Sequence, residues 1–262
     1  MTAEAVRRDG RVLRCRISTG RHGALDGAVM QEVTDALAGL AGQDPADPGA
    51  VGAVLVHGDG ENFCTGGNVR DFAAAPDRGG YVREVADIFH ALQRPLVASP
   101  VPTVAAVRGW AAGAGMSVAL ACDLAVGGRS TRMRPAYPGI GFSPDGGMTW
   151  TLPRLVGAAR ARRILLTDEV LDADAARRPR TARLGRRRRR GRRRGRDPRG
   201  TGWRRGRPAA LGRIRGLLGG TWEATLGEQL DAEAASIAAC AAGPEGAEGL
   251  AAFGEKRRPQ FH

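Results

Sequence analysis

Twice in this chain a short apolar strand runs into a glycine-rich turn and then a helix, and this repeated unit restricts the possible folds more than any other feature. Residues 53–56 (Ala-Val-Leu-Val) lead into His57-Gly58-Asp59-Gly60 and then Phe63-Cys64-Thr65-Gly66-Gly67-Asn68. Residues 103–107 lead into Gly109-Trp110-Ala111-Ala112-Gly113-Ala114-Gly115, which opens a helix through Met116, Leu120 and Ala121. Short apolar strands alternating with helices predict an α/β fold with helices against a largely parallel sheet. A glycine pair at a strand end also lets the backbone come close to a ligand, because no Cβ stands in the way.

The flanking segments extend the pattern. Leu13, Cys15 and Ile17 alternate after the Asp9-Gly10 turn and predict a hairpin. Asp26 can cap a helix with Met30, Val33, Leu37 and Leu40 on its apolar face, ending at Asp44-Pro45, and Val82, Val85, Phe89 and Leu92 mark a second helix. Residues 123–126 predict another buried strand. After Ser143-Pro144-Asp145-Gly146-Gly147 the chain turns helical in a run ending near Leu166, and helical spacing returns after Pro208 with Ile214, Leu217, Leu218, Leu226, Leu230 and Ile237.

Residues 177–207 follow none of these periods. They hold 17 of the 40 basic residues against one acid, Asp197, so the formal charge of +13 is local and the remaining residues sum to −3. The chain therefore divides into a core over 1–176, an arginine-rich tract over 177–207 and a helical C-terminal region over 208–262. With almost no apolar partners the tract is expected to be disordered, since it buries too little surface to offset its ordering entropy. A nucleic-acid-binding arm is a competing reading, because arginines neutralise phosphates. The lone ring, Trp203, weighs against it, and nucleic acid is not the expected partner. A third reading is a frameshift from near Arg177 corrected near Pro208, since Arg, Gly and Pro are what a GC-rich stretch yields out of frame.

Composition adds exclusions. At 262 residues and 42% apolar content the chain has enough material for a sizeable soluble core. No stretch approaches the roughly 18 to 20 apolar residues of a membrane span, and Glu4, Arg7, Arg8 and Asp9 interrupt any signal-peptide apolar region, so a cytoplasmic protein without membrane contact is expected. Cys15, Cys64, Cys122 and Cys240 lack C-x-x-C spacing, which predicts reduced thiols and no metal site.

The two glycine turns together could direct two backbone N–H groups at one oxygen, as an oxyanion hole does. Around them the motifs resemble the crotonase (enoyl-CoA hydratase/isomerase) superfamily. Arg21-His22-Gly23-Ala24-Leu25-Asp26 is similar to its R-x-N-A-L-[DN] segment, and residues 63–69 to F-[SC]-A-G-x-D-L. Residues 107–115 with Ala121-Cys122-Asp123 resemble V-x-G-x-A-x-G-G-G followed by A-C-D; residues 141–147 resemble G-L-x-P-[DEG]-G-G. The tail, residues 253–261, resembles F-x-E-K-R-x-P-x-F.

The resemblance implies a spiral of β-β-α units with a helical C-terminal region that builds trimers and often hexamers. It implies an acyl-CoA thioester substrate and no cofactor beyond the coenzyme A that the substrate carries. By position, the oxyanion donors fall on the N–H groups of Gly67 and Ala114, and Ala24, Cys64, Thr65, Gly66, Asn68 and Tyr137 line the acyl-CoA path. Ala114 replaces a usual glycine and requires a φ that suits a β-carbon. Asn68 replaces a usual aspartate and removes its charge.

The two glutamates with which the family's hydratases activate water correspond to Ser117 and Tyr137, neither of which is a carboxylate base. Asp145 falls where many of the family's isomerases carry their acid/base residue. The expectation is therefore an enoyl-CoA isomerase of fatty-acid or phenylacetate-type breakdown with Asp145 as its catalytic residue, and a hydratase as the alternative. Ordinary readings stand beside these: Pro-Asp-Gly is also a common turn, Asp123 reads as a buried structural carboxylate, His57 and His90 as structural histidines, and Phe72, Phe89, Trp110 and Tyr137 as core or pocket aromatics.

Overall fold

A computed structural model describes residues 4–20, 22–44, 47–176 and 208–261. The expectations for the 177–207 tract, and Arg21 of the opening motif, lie outside the described residues. Strands β1 (Val6–Asp9) and β2 (Val12–Ser18) form the expected antiparallel hairpin about Gly10, whose φ of +57° suits a residue without a β-carbon. Helix α1 (Gly27–Ala38) starts at Asp26, whose carboxylate accepts the Val29 N–H at 3.1 Å. Then follow β3 (Ala53–Gly58), α2 (Val69–Ala74), α3 (Arg78–Val97), β4 (Thr103–Val107), β5 (Trp110–Ala112) and α4 (Ala114–Ala121). Strands β6 (Leu124–Gly127) and β7 (Arg132–Arg134), a 3-10 turn (Pro138–Ile140) and helices α5 (Met148–Val156) and α6 (Ala158–Thr167) lead to β8 (Leu171–Asp172) and α7 (Ala173–Ala176). The C-terminal region is helical: α8 (Pro208–Gly220), α9 (Leu226–Ala242) and α10 (Pro244–Gly254).

The five-stranded sheet has the order β1-β2-β3-β4-β6 and is parallel except for β1; the second sheet is β5-β7-β8. Successive strands step from one sheet to the other, β4 to β5 and β6 to β7, which is the β-β-α progression the resemblance implies. The sequence reading placed β5 within a glycine turn and left β7 and β8 unassigned, because strands of two or three residues are too short to show a period. It also merged α5 and α6, which Gly157 separates at φ +84°.

Residues 123–126 do not form a buried strand. β6 is the edge of its sheet, with Leu124 and Val126 about 60% exposed. Asp123 is exposed too, but it is structural: its Oδ2 accepts from the Thr103 N–H at 2.8 Å and the Thr103 hydroxyl at 3.0 Å, fastening β6 to β4. Trp110, expected in core or pocket, is 37% exposed on β5.

Helices α8 and α9 complete the core. Ile214, Leu218, Ala234 and Ile237 belong to the same buried cluster as Val54, Phe89 and Met116, and Arg94 on α3 pairs with Asp231 on α9 at 2.9 Å. All four cysteines are free and buried. Among the described residues no helix is long and apolar enough to cross a membrane.

Candidate active site

Backbone hydrogen bonds bring three remote segments together. The Thr65 N–H donates to Gly23 O at 2.7 Å and the Leu25 N–H to Gly66 O at 2.9 Å; the Cys64 N–H donates to Trp110 O at 3.1 Å and the Ala112 N–H to Cys64 O at 2.9 Å. The two glycine turns therefore lie side by side. A Cβ on Gly66 would stand 3.3 Å from Ala112 O and 3.5 Å from the Ala114 nitrogen, and one on Gly115 only 2.2 Å from Cys64 O, so position 115 admits no side chain without displacing that backbone. The left-handed step falls on Gly113 (φ +55°), which leaves Ala114 as the first residue of α4 with an ordinary negative φ. Alanine is thus accommodated at 114. As a first-turn residue, Ala114 has an N–H directed off the helix N-terminus, where the peptide dipoles favour negative charge.

Gly67 lies under an aromatic wall: a Cβ there would come within 2.6 Å of the Phe72 ring, which stacks on Phe142 at 6.3 Å and meets Tyr81 edge-on at 6.1 Å. Asn68 caps α2 by accepting the Arg70 N–H at 3.2 Å, so the amide does the capping work of an aspartate without its charge. Cys64 is wholly buried, its thiol pushed up to about 12 by burial, with Sγ accepting the Gly66 N–H, and its backbone joins the turn to Trp110 and Ala112.

Asp145 sits in a loop held at four successive backbone groups by buried side chains. Ser117 Oγ on α4 donates to Asp145 O at 2.8 Å. The Gly146 N–H donates to His90 Nε2 at 2.9 Å, while Gln93 Nε2 donates to Gly146 O at 2.9 Å, both partners lying on α3. The Gly147 N–H donates to Glu233 Oε2 at 2.6 Å, and Glu233 Oε1 accepts from the Thr149 N–H at 2.8 Å and from the Thr149 hydroxyl. Gly146 and Gly147 have φ of +68° and +77°, and a Cβ on Gly146 would stand 2.2 Å from the Phe89 ring. This is more than a common turn. The Asp145 carboxylate itself is buried and accepts from Tyr137 Oη at 2.5 Å.

Burial pushes Asp145 up to about 6, against the downward pull of the Tyr137 hydrogen bond. Tyr137 is raised well above its ordinary value, first by burial and then by the facing carboxylate. Burial lowers His90 to about 4, which keeps it neutral and able to accept from Gly146. Glu233 is pushed up to about 8 by burial, although its three hydrogen-bond donors favour the ionised form.

Ser117 and Tyr137, where water-activating glutamates would stand, are thus both occupied in holding Asp145. His90, read from sequence as a structural histidine, has that role: its Nε2 supports the Asp145 loop through the Gly146 N–H. Gln93 and Glu233 drew no attention in the sequence. Their signal was a polar residue inside an apolar helical stripe: Gln93 follows Ala86 and Phe89, and Glu233 lies between Leu230 and Ile237. Asp123 and His57 are not drawn into this group by any of its hydrogen bonds.

The sequence profile described as "Enoyl-CoA hydratase/isomerase" matches residues 10–179. This chain belongs to the enoyl-CoA hydratase/isomerase family. A "Probable enoyl-CoA hydratase" of Rhodobacter capsulatus is 32% identical, covering 91% of this chain and 89% of the relative. A "1,2-epoxyphenylacetyl-CoA isomerase" of Escherichia coli K12 is 32% identical over 79% of this chain and 80% of the relative. A "4-chlorobenzoyl coenzyme A dehalogenase-1" of Arthrobacter sp. is 35% identical over 60% and 55%. The crystal structure of an enoyl-CoA hydratase from Mycobacterium avium subsp. paratuberculosis K-10 superposes with a TM-score of 0.69 at 24% identity, covering 98% and 97%, and shares the fold. The family thus establishes a crotonase-type α/β fold and an acyl-CoA enzyme. Its members' names cover three reactions, so the reaction here turns on the residues around Asp145.

Proposed function

We propose that this family member is an enoyl-CoA isomerase that shifts a double bond next to a thioester. The observation that carries this reading is the buried Asp145 carboxylate, raised to about 6 and accepting from Tyr137, with no carboxylate at positions 117 and 137 and with the neighbouring buried carboxylate, Glu233, taken up by the Gly147 and Thr149 donors. A 1,3-proton shift needs only one such group. Asp145 takes the proton from C2 of a 3-enoyl thioester, and the enolate oxygen accepts from the Gly67 and Ala114 N–H groups. Electron density then extends to C4, where the same carboxyl returns its proton to give the 2-enoyl product. Each oxyanion donor would contribute about 2.7–4 kcal/mol to lowering the barrier. Ala24, Thr65, Gly66 and Asn68 border the two turns and form the acyl-CoA path in this reading. The chemistry needs no cofactor, since coenzyme A arrives on the substrate. The epoxyphenylacetyl-CoA isomerase relative supports an aromatic acyl group as well as a fatty one.

A hydratase is the second reading, favoured by the name of the Rhodobacter relative that spans 91% of this chain. It would need a water-activating group other than Ser117 and Tyr137. A paired assay with 3-enoyl-CoA and 2-enoyl-CoA, comparing wild type with Asp145→Ala, separates the two. Isomerisation lost in the variant with little hydration in either supports the isomerase; hydration unchanged by the variant overturns it.

A further inference from the structure

Ala136 adopts φ +66°, a left-handed conformation that a residue with a β-carbon takes up only where its surroundings offset the strain. It directly precedes Tyr137, whose hydroxyl donates to Asp145. The offsetting group is Asp168. Its Oδ1 accepts the Ala136 N–H at 2.8 Å, and its Oδ2 accepts from Arg134 Nε at 3.0 Å and Nη2 at 2.6 Å. One carboxylate therefore ties the last residue of β7 to the strained residue two positions on. Asp168 is itself left-handed (φ +52°) at the end of α6, with its N–H bonded to Ile164 O and its side chain 7% exposed. Gly139 closes over the ion pair, since a Cβ there would stand 3.4 Å from both Arg134 Nη2 and Asp168 Oδ2.

We propose that Asp168 is a positioning residue: by holding Ala136 in the left-handed region against Arg134, it aims the Tyr137 hydroxyl at the Asp145 carboxylate. If Ala136 relaxes to negative φ, the direction in which the chain leaves it changes and the phenol is carried off its acceptor. The inference rests on Asp145 being the proton shuttle. Among the described residues the ionisable groups around Asp145 are Tyr137, Glu233 from α9 and, through Gly146, His90 from α3; none is altered in the variants below.

The chain has two tyrosines, Tyr81 and Tyr137, so protein labelled with carbon-13 at tyrosine Cζ shows two resonances, and Tyr81→Phe assigns them. In substrate-free wild type the Tyr137 resonance should move with pH as Asp145 titrates, and Asp145→Asn should abolish that movement. Asp168→Ala should also abolish it, and adding Ala136→Gly should restore it, because glycine holds a positive φ unaided. In the same series kcat for isomerisation should fall by up to about 100-fold in Asp168→Ala with KM little changed, and recover in the double variant. A wild-type titration in Asp168→Ala, or a loss that Ala136→Gly does not reverse, overturns the proposal. Should Asp168→Ala not fold, Asp168→Asn carries the test, because Asp168 accepts from Ala136 and Arg134 on separate oxygens and an amide must turn its NH2 towards one of those donors; a wild-type titration there overturns the proposal equally. Failure of the isomerase reading shows separately, as isomerisation unaffected by Asp145→Ala, while the substrate-free resonance still decides the role of Asp168.

Discussion

At Asp145 stability and chemistry pull in opposite directions. Its carboxyl is raised from 3.8 to about 6 because burial penalises the charge. A base must be ionised to accept a proton, so isomerisation should be lost as pH falls through about 6. Tyr137→Phe removes a hydrogen bond that favours the ionised form, and the acidic limb of the kcat profile should rise by about one unit or more. Because the folded pKa lies above the unfolded one, the proton bound by Asp145 stabilises the fold below pH 4, and this contribution is lost as pH rises through 6. Asp145→Asn should therefore be inactive yet more stable than wild type at pH 8, by up to about 3 kcal/mol, with the advantage gone near pH 4; urea melts at the two pH values check this. The residue and its turn were legible in the Pro-Asp-Gly-Gly run. Its hydroxyl donor was not, since Tyr137 reaches Asp145 through a turn whose strained Ala136 leaves no mark in composition.

Among the elements, α9 has the role least visible in sequence. It carries Glu233, wholly buried, to the start of α5, where the carboxylate accepts the Gly147 and Thr149 N–H groups that the helix cannot satisfy internally. Glu233→Ala would leave these donors unpaired at about 1–3 kcal/mol each and loosen the loop that carries Asp145. Lower urea midpoints together with a lower kcat are the expected outcome. The N-terminus of α9 is built locally: Thr225 and Glu228 form a reciprocal capping box, and Thr225→Ala should cost about 1 kcal/mol without altering the pH profile of activity. Caps and apolar stripes of this kind are read directly from sequence because both partners lie within one helical turn. The Glu233–Gly147 contact joins residues 86 positions apart, and no local period reports it.

For the whole molecule, the C-terminal helices share one buried cluster with the N-terminal strands, so a chain ending before residue 208 should lose Ile214, Leu218 and Ile237 from that core and fail to show a cooperative urea transition. The resemblance to the crotonase superfamily implies a trimer or hexamer, and the exposed Leu124 and Val126 on the edge strand β6 are apolar surface that an assembly could cover; sedimentation equilibrium is expected to give a multiple of the monomer mass. From sequence alone came the α/β class, the N-cap of α1, the hairpin, both glycine turns and the Asp145 turn, because each depends on neighbours a few residues apart or on a glycine that only one backbone conformation requires; the end of α1 did not, since the sequence placed it at Asp44-Pro45 and the helix stops at Ala38. The tertiary structure alone decided that the turns lie side by side, that Cys64 faces inward, that Ser117 and Tyr137 hold a carboxylate, and that His90, Gln93 and Glu233 support it. Those contacts are made between segments far apart in the chain, where the packing of helices on sheets, not any local pattern, determines which polar groups must find each other once water is gone.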